Sequence, residues 1–380
     1  MTHKPWQLPS IEKIFDEAQP ATIAPNVLRQ KRIIESTLAA LGFEAQVQQV
    51  QQGPQATLYS LTPAADTQLS RLKGLETDLA VALSGAAVQI ATPTARRPFV
   101  SILVPHLDGH NTVPLRRVLE SPAFRQHNGK LKIGLGIDVV DHPAIIDLTE
   151  LPHLLIGGTT GSGKSACLHA MVASLLCTYP PNTLQLLMID PLAVELRDYQ
   201  DLPHLFAPVV TRSSQALDTL GTVDKVIDRR YRIFSDNQAR NIESYNRLLI
   251  QADKEPIPYI VVVIDNVFDL LLTSASDVEQ TITRMAQRAR GAGIHLILAT
   301  PRAHTDALSG TIKANFPGRI AFRVMGPAES RLILDEAGAE DLIGQGDMLY
   351  KAPNTNVLQR IQGAYISEAE RRRLVEFWRA

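Results

Sequence analysis

Apolar and polar positions along the chain follow two rhythms. In the first hundred residues short patterns of both periods mix. Residues 25–41 read as a helix, with Pro25 in its first turn, Ile33, Ile34, Thr37, Leu38 and Leu41 along one side, and Gly42 as its stop. Residues 43–50 and 55–61 alternate at strand period around Gly53-Pro54, which predicts a hairpin. Leu69, Leu72, Leu75, Leu79 and Leu83 return to helical spacing, and 87–91 and 99–104 read as further strands. The proline-dotted first twenty residues predict a loosely ordered segment.

The second half keeps one rhythm throughout. Short apolar runs at 154–156, 184–189, 260–264, 294–299 and 320–324 are separated by helical patterns at 164–178, 213–235 and 277–290. Runs of that length suit strands buried on both faces, and their alternation with helices predicts a parallel sheet covered by helices. The fold class expected is therefore α/β, with a small α+β domain in front. The Thr/Pro/Arg-rich stretch 92–98 is the natural boundary. The expected division is a flexible segment 1–20, a small domain 21–93, a nucleotide-type domain 94–366 that includes a connecting stretch 94–150, and a C-terminal helix within 367–380.

Composition narrows the function classes. With 380 residues, 45% of them hydrophobic and 20% charged, the chain has enough apolar material for two or three packed domains. The 38 Lys+Arg against 39 Asp+Glu exclude a uniformly basic nucleic-acid binder but leave room for a local basic patch. No window reaches about 18 uninterrupted apolar residues, so no membrane span is expected, and the N-terminus carries no signal-peptide pattern. Cys167 and Cys177 fall on one predicted helix, about 15 Å apart along its axis, too far for a disulfide. A reduced, cytoplasmic protein is expected.

Gly158-Thr159-Thr160-Gly161-Ser162-Gly163-Lys164-Ser165 fits G-x-x-x-x-G-K-[ST]. Chance alone would give this pattern in roughly one or two chains per hundred of this length, so the flanks decide. An apolar strand precedes it and a helical pattern follows, which is the context a phosphate-binding loop requires. Its glycines let several backbone N–H groups point at one anion, and the helix N-terminus faces the same place. Lys164 is expected to bridge the β- and γ-phosphates of ATP and the Ser165 hydroxyl to ligate Mg²⁺. The apolar run 260–264 ends in Asp265, the strand-end carboxylate that a Mg²⁺ shell needs.

Taken in order, several blocks resemble the FtsK/SpoIIIE family of DNA translocases. They are Leu151-Pro152-His153-Leu154-Leu155 running into the loop, Met188-Ile189-Asp190-Pro191, Leu202-Pro203-His204-Leu205, and Arg229-Arg230-Tyr231 with Tyr245-Asn246. Ala292-Gly293-Ile294-His295-Leu296, Ala299-Thr300, Ile312-Lys313-Ala314-Asn315, Arg319-Ile320-Ala321-Phe322, Ser330-Arg331 and Gly346-Asp347-Met348-Leu349-Tyr350 complete the set. Gly53-Pro54, Ser70-Arg71 and Asp78-Leu79-Ala80 look like that family's smaller α domain. The resemblance covers about residues 20 to 366. It implies a RecA-like ATPase domain behind an α domain, assembled as a hexameric ring around double-stranded DNA, with ATP at subunit interfaces and a role in DNA translocation or chromosome segregation. It also implies that an arginine, Arg331 or Arg319, reaches a neighbouring subunit's γ-phosphate. The family's membrane anchor and winged-helix domain are not expected within these residues.

Three departures qualify that reading. Where the family ends its magnesium strand Asp-Glu, this chain has Asp265-Asn266, and an amide has no carboxylate to polarise the attacking water. The family's Gln after Ala-Thr is Pro301, and its Lys after Met-Ile-Asp-Pro is Leu192. Asp269 keeps a family carboxylate. ATP binding with impaired hydrolysis follows, through a homo-hexamer or a ring mixed with an active paralogue. A degenerate ATP-binding subunit or DNA clamp, and a secretion or conjugation coupling ATPase, are the alternatives.

Between residues 284 and 331 eight Lys/Arg face two acids, an excess that would suit sequence-tolerant contact with duplex phosphates. For Arg284, Arg288 and Arg290, DNA contact and pairing on a solvated helix face stand level. The histidines show no metal-ligand spacing, and His153, His204 and His295 are expected near the core.

Overall fold

The computed structural model describes residues 6–17, 26–54, 56–63, 69–85, 88–91, 99–106, 112–301, 309–353, 355 and 357–380. The 92–98 boundary, Pro25 and Arg302 lie outside them. The chain divides into two units, one of Met1–Glu17, Pro114–Gly136 and Ile145–Ala380, the other of Ala18–Val113 and Ile137–Ala144.

In the smaller unit the expected helix spans Val27–Ala40 and buries Ile34 and Leu38. Four antiparallel strands follow, in the order Ala45–Gln52, Ala56–Pro63, Val100–Pro105, Gln89–Ala91. The hairpin expected around Gly53 is present, and a Cβ at Gly53 would sit 2.6 Å from the Val139 carbonyl oxygen. The leucine pattern from residue 69 breaks into Leu69–Leu72, a 3₁₀ turn at Lys73–Leu75 and Glu76–Ala82. Gly74 lies at that break, where its backbone freedom disfavours a continuous helix. The pairing of Val100–Pro105 with Ala56–Pro63 corrects the sequence boundary. The small unit's sheet continues past residue 98 and closes near residue 113, because a strand on the far side of the Pro-rich stretch completes it.

The larger unit is a mixed sheet flanked by helices. Its parallel part runs Leu184–Ile189, Tyr259–Asp265, Ile294–Thr300, His153–Gly157, Gly318–Phe322. The strand before the loop therefore pairs with Ile294–Thr300, which separates it from the strand ending at Asp265. The sheet is not parallel throughout. Asp347–Lys351 joins antiparallel to Gly318–Phe322, Leu358–Tyr365 antiparallel to that, and Lys132–Asp138 and Pro143–Asp147 extend the sheet further.

Lys164–Thr178 is buried on nearly every side, including free Cys167 and Cys177. Ser213–Asp236 packs an apolar stripe of Ala216, Leu220, Val223 and Ile227 against the sheet. The helix expected at 277–290 begins ten residues earlier, at Val267, and runs to Ala289 with a break at Ser274. His153 lies buried, its Nε2 against the Ala286 carbonyl at 2.8 Å and its Nδ1 accepting from the Leu296 N–H at 3.0 Å. Burial pushes His153 down to about 3 and His204 and His295 to about 4, so all three are neutral near pH 7.

The first residues depart from expectation. Ile11–Ile14 is a short helix, and Arg373 of the C-terminal helix Glu368–Arg379 donates to the Ile14 carbonyl and to Asp16, both at 2.7 Å. Glu370 accepts from the Asp16 N–H at 3.0 Å. Residues 6–17 are thus ordered against that helix, because its arginine and glutamate satisfy backbone groups the sequence pattern leaves open.

Candidate nucleotide-binding site

The loop from Gly158 to Ser165 links the buried strand His153–Gly157 to the helix Lys164–Thr178. Gly158, Gly161 and Gly163 have φ of 150°, 78° and 116°, values that disfavour a side chain. Gly163 also has no room for one, since a Cβ there would lie 2.4 Å from the Gly346 nitrogen. Gly346 N–H donates to the Ser162 carbonyl at 2.9 Å, and Thr159 N–H to the Arg323 carbonyl at 2.9 Å. Backbone from the C-terminal strands thus props the loop on both sides. Lys164 Nζ donates to the Thr159 carbonyl at 2.9 Å, folded back over the loop it serves.

The loop opens on a cavity of about 680 Å³. Thr160, Gly161, Lys164 and Ser165 line one side, and Asp190, Glu195, Asp265, Asn266, Asp269 and Pro301 the other. Asp190 and Asp265 both arrive there because Leu184–Ile189 and Tyr259–Asp265 pair in parallel, and the second is joined to the loop strand through Ile294–Thr300. Four carboxylates, Asp190, Glu195, Asp265 and Asp269, thus share this cavity with the Lys164 ammonium. A bare polyphosphate would meet excess negative charge; its Mg²⁺ complex would not. Among the described residues no cluster of three or more His, Cys, Asp or Glu could hold a metal by itself. Ser165 and Asp265 both line this cavity.

Burial, then the charges of Asp190 and Glu195, push Asp265 up to about 6, with Lys164 pulling the other way. A carboxyl whose folded pKa exceeds its unfolded value destabilises the fold once ionised. The nucleotide-free protein therefore loses stability as pH rises from about 4 through 6. Asp265→Asn removes that penalty and is expected to gain on the order of 2 kcal/mol at pH 8 in thermal melts without Mg²⁺ or nucleotide. The advantage vanishes below about pH 4, and binding of Mg·ATP to the same variant falls.

At residue 266 the structure shows what the amide does. Asn266 has φ 68°, a left-handed conformation that asparagine tolerates well. Its Nδ2 donates to Asp269 Oδ2 at 2.6 Å. Its Oδ1 is buried without a partner among the described residues. Asp269, which lines the cavity, is thus held by the amide rather than repelled by a carboxylate. Pro301 lies at the cavity wall and has no side-chain donor. Leu192 lines the mouth, largely exposed.

Of the arginines singled out in the sequence, Arg284 pairs with Asp224 at 3.0 Å, and Arg288 with Asp224 and Asp228, all across to the helix Ser213–Asp236. Arg290 is exposed. Lys313 and Arg319 meet Asp335. These acids lie outside the 284–331 window, so the positive excess read there is offset in the fold. Where such pairs face solvent, screening and side-chain entropy leave them weak, so they orient Arg284 and Arg288 more than they lock them. Arg319 also donates to the carbonyls of Lys313, Phe316 and Ile333, which occupies it structurally. Arg331 is exposed on the helix Pro327–Leu334.

The site includes two residues sequence reasoning missed. Glu195 reaches the loop from five residues beyond Asp190, and Gly346 braces Gly163 from the far end of the unit. An acid closely following a strand-end Asp was the available signal for the first. For the second, Gly346 heads one of the blocks that carry the resemblance, but nothing in that block ties it to the loop.

The pattern of the FtsK/SpoIIIE family matches residues 114–305, and that of the FtsK alpha domain matches residues 8–106. The chain belongs to the FtsK/SpoIIIE family. It is 40% identical to the DNA translocase SpoIIIE of Bacillus subtilis (strain 168) over 384 residues, 99% of this chain and 49% of the relative. It is 42% identical to the DNA translocase FtsK of Caldanaerobacter subterraneus subsp. tengcongensis over 366 residues, 96% of this chain and 51% of the relative. The chain spans about half the length of the curated relatives it matches. Among solved structures, the pCW3 conjugation coupling protein TcpA, in a monomer form with ATPγS, superposes with TM-score 0.61 at 18% identity, covering 92% of this chain and 99% of that one. The Type VII secretion ATPase EccC of Thermomonospora curvata superposes with TM-score 0.58 at 23% identity, over 66% of this chain and 31% of that one. These two likenesses show the fold alone. Membership of this P-loop ATPase family implies nucleotide binding. Among the described residues no helix is long and apolar enough to cross a membrane.

Proposed function

We propose that this FtsK/SpoIIIE-family chain binds Mg·ATP through residues 158–165 and acts on double-stranded DNA as part of a ring, with slow hydrolysis of its own. The observation that carries the first half is the braced loop with Lys164, Ser165 and Asp265 around one cavity. In this reading the loop amides and Lys164 hold the β- and γ-phosphates. Ser165 and Asp265 hold Mg²⁺, whose contribution is to neutralise phosphate charge. DNA as the partner is carried over from relatives named DNA translocases. Arg331, exposed where Arg319 is engaged, is the better placed to act across a subunit boundary.

A specific observation favours a second form of the same reading. The Asn266–Asp269 hydrogen bond and Pro301 leave two positions expected to act on water and γ-phosphate without a carboxylate or a donor. A nucleotide-holding subunit completed by an active paralogue fits that chemistry. The secretion and conjugation alternative gains nothing from TcpA and EccC, whose likeness is one of fold.

Fluorescence anisotropy with labelled duplexes of unrelated sequence tests the DNA half. With Mg²⁺ and a non-hydrolysable ATP analogue, binding is expected to be sequence-tolerant and to weaken about 10³-fold or more between 50 and 200 mM salt. Absence of duplex affinity at low salt with nucleotide present would remove DNA as the partner. Negative-stain imaging of the same mixture reads out the ring.

A further inference from the structure

Glu195 sits in a tight loop after the strand Leu184–Ile189. Its N–H and that of Leu196 both donate to Asp190 Oδ2, at 2.8 and 3.0 Å. Ala193, with φ 54°, turns the chain between them. The side chain is fixed from the other end as well. His169, buried on the helix that follows the phosphate loop, places Nε2 at 3.2 Å from Glu195 Oε2 and Nδ1 at 3.0 Å from the hydroxyl of buried Tyr199. A glutamate whose backbone is pinned by a loop aspartate and whose carboxylate meets a buried imidazole is built in place, unlike a surface glutamate.

Ser165 stands one turn before His169 on the same face of that helix and lines the nucleotide cavity together with Glu195, which sets its hydroxyl on the side of this carboxylate. A hydroxyl has one hydrogen and two lone pairs. When a serine oxygen gives a lone pair to a cation, its hydrogen needs an acceptor elsewhere. Partners that take the outer hydrogen of a metal ligand fix its orientation and raise its donor strength. We propose that Glu195 is the outer carboxylate of the Mg²⁺ shell, acting on the cation through Ser165. It thereby supplies beside Asp265 the second negative charge that residue 266, an amide, does not. Glu195 is a positioning residue in this account. His169 and Asp190 are in turn the residues that aim it.

The inference rests on the Mg·ATP reading, and the experiment separates the two. A fluorescent ATP analogue is titrated onto the full chain in Mg²⁺ and in EDTA, and the ratio of the two affinities is the readout. In Glu195→Gln the ratio is expected to fall about 10-fold or more. Affinity in EDTA should stay level or tighten, because one negative charge facing the phosphates is gone. A role confined to pairing with His169 would move both affinities together, or neither. Melting curves without nucleotide check that the variant folds. Glu195→Asp gives a second reading: it keeps the charge but withdraws it by one methylene, so the ratio falls while EDTA affinity does not tighten. A ratio in Glu195→Gln equal to that of the wild type overturns the inference and leaves the nucleotide site standing. If the wild type binds the analogue in neither medium, the Mg·ATP reading fails and takes this one with it.

Discussion

Lys164→Ala is expected to lower affinity for Mg·ATP by about 30-fold to several thousand-fold, equivalent to roughly 2–5 kcal/mol, the range seen when one partner of a buried charge pair is truncated. The effect should be large because of where the ammonium lies. Lys164 is 8% exposed and makes its hydrogen bond to a carbonyl of the loop itself. Burial lowers its pKa, while the charges of Asp265 and Glu195 raise it. Replacing that weak neutral acceptor with phosphate oxygens gives charge-assisted bonds to a cation itself largely withdrawn from water. Isothermal titration with Mg·ATP measures the loss. The fold should survive, since alanine removes a buried cation without touching the loop's glycines or its Gly346 brace. Unchanged affinity in a folded Lys164→Ala protein would mean that residues 158–165 hold no phosphate.

Asn266→Glu is the change expected to move catalysis most. A positioned general base contributes about 10²–10⁴-fold, so DNA-stimulated ATP turnover should rise by about 10²-fold or more over the wild type. The structure sets two costs against that gain. Residue 266 sits at φ 68°, where glutamate is less comfortable than asparagine, by roughly 1 kcal/mol. The substitution also replaces the Asn266–Asp269 hydrogen bond with two carboxylates at close range. A melting temperature several degrees below that of the wild type is therefore expected alongside faster turnover. Phosphate release at saturating Mg·ATP, with and without duplex DNA, is the measurement. Robust wild-type turnover that glutamate does not improve would show that Asn266 is no impediment.

The parts of the molecule legible in the sequence were those written in local patterns. The strand His153–Gly157, the loop, and the helix from Lys164 follow one another without a gap, so residue types and spacing sufficed. Asp265 was legible for the same reason, closing an unbroken apolar run. What escaped depends on neighbours distant along the chain. Val100–Pro105 reads as a strand, yet only its pairing with Ala56–Pro63 assigns it to the smaller unit. The helix from Val267 was hidden because its first turn continues the apolar run of the preceding strand, and only the left-handed residue 266 marks where one ends. The acids that meet Arg284, Arg288 and Arg319 lie outside the window that made those arginines look unopposed. Glu195 gives no motif of its own, since it is aimed by a histidine on another element.

Gly163 and Gly346 meet backbone to backbone, with the Ser162 carbonyl accepting from the second of them. During synthesis the residues of the loop from Gly158 to Ser165 emerge long before their brace does. Until the ribosome has delivered the hairpin Asp347–Lys351 and Leu358–Tyr365 with the turn before it, that contact cannot form. Non-local closures of this kind come late in folding. The order of assembly thus withholds the finished cradle from a growing chain until most of its domain has been made.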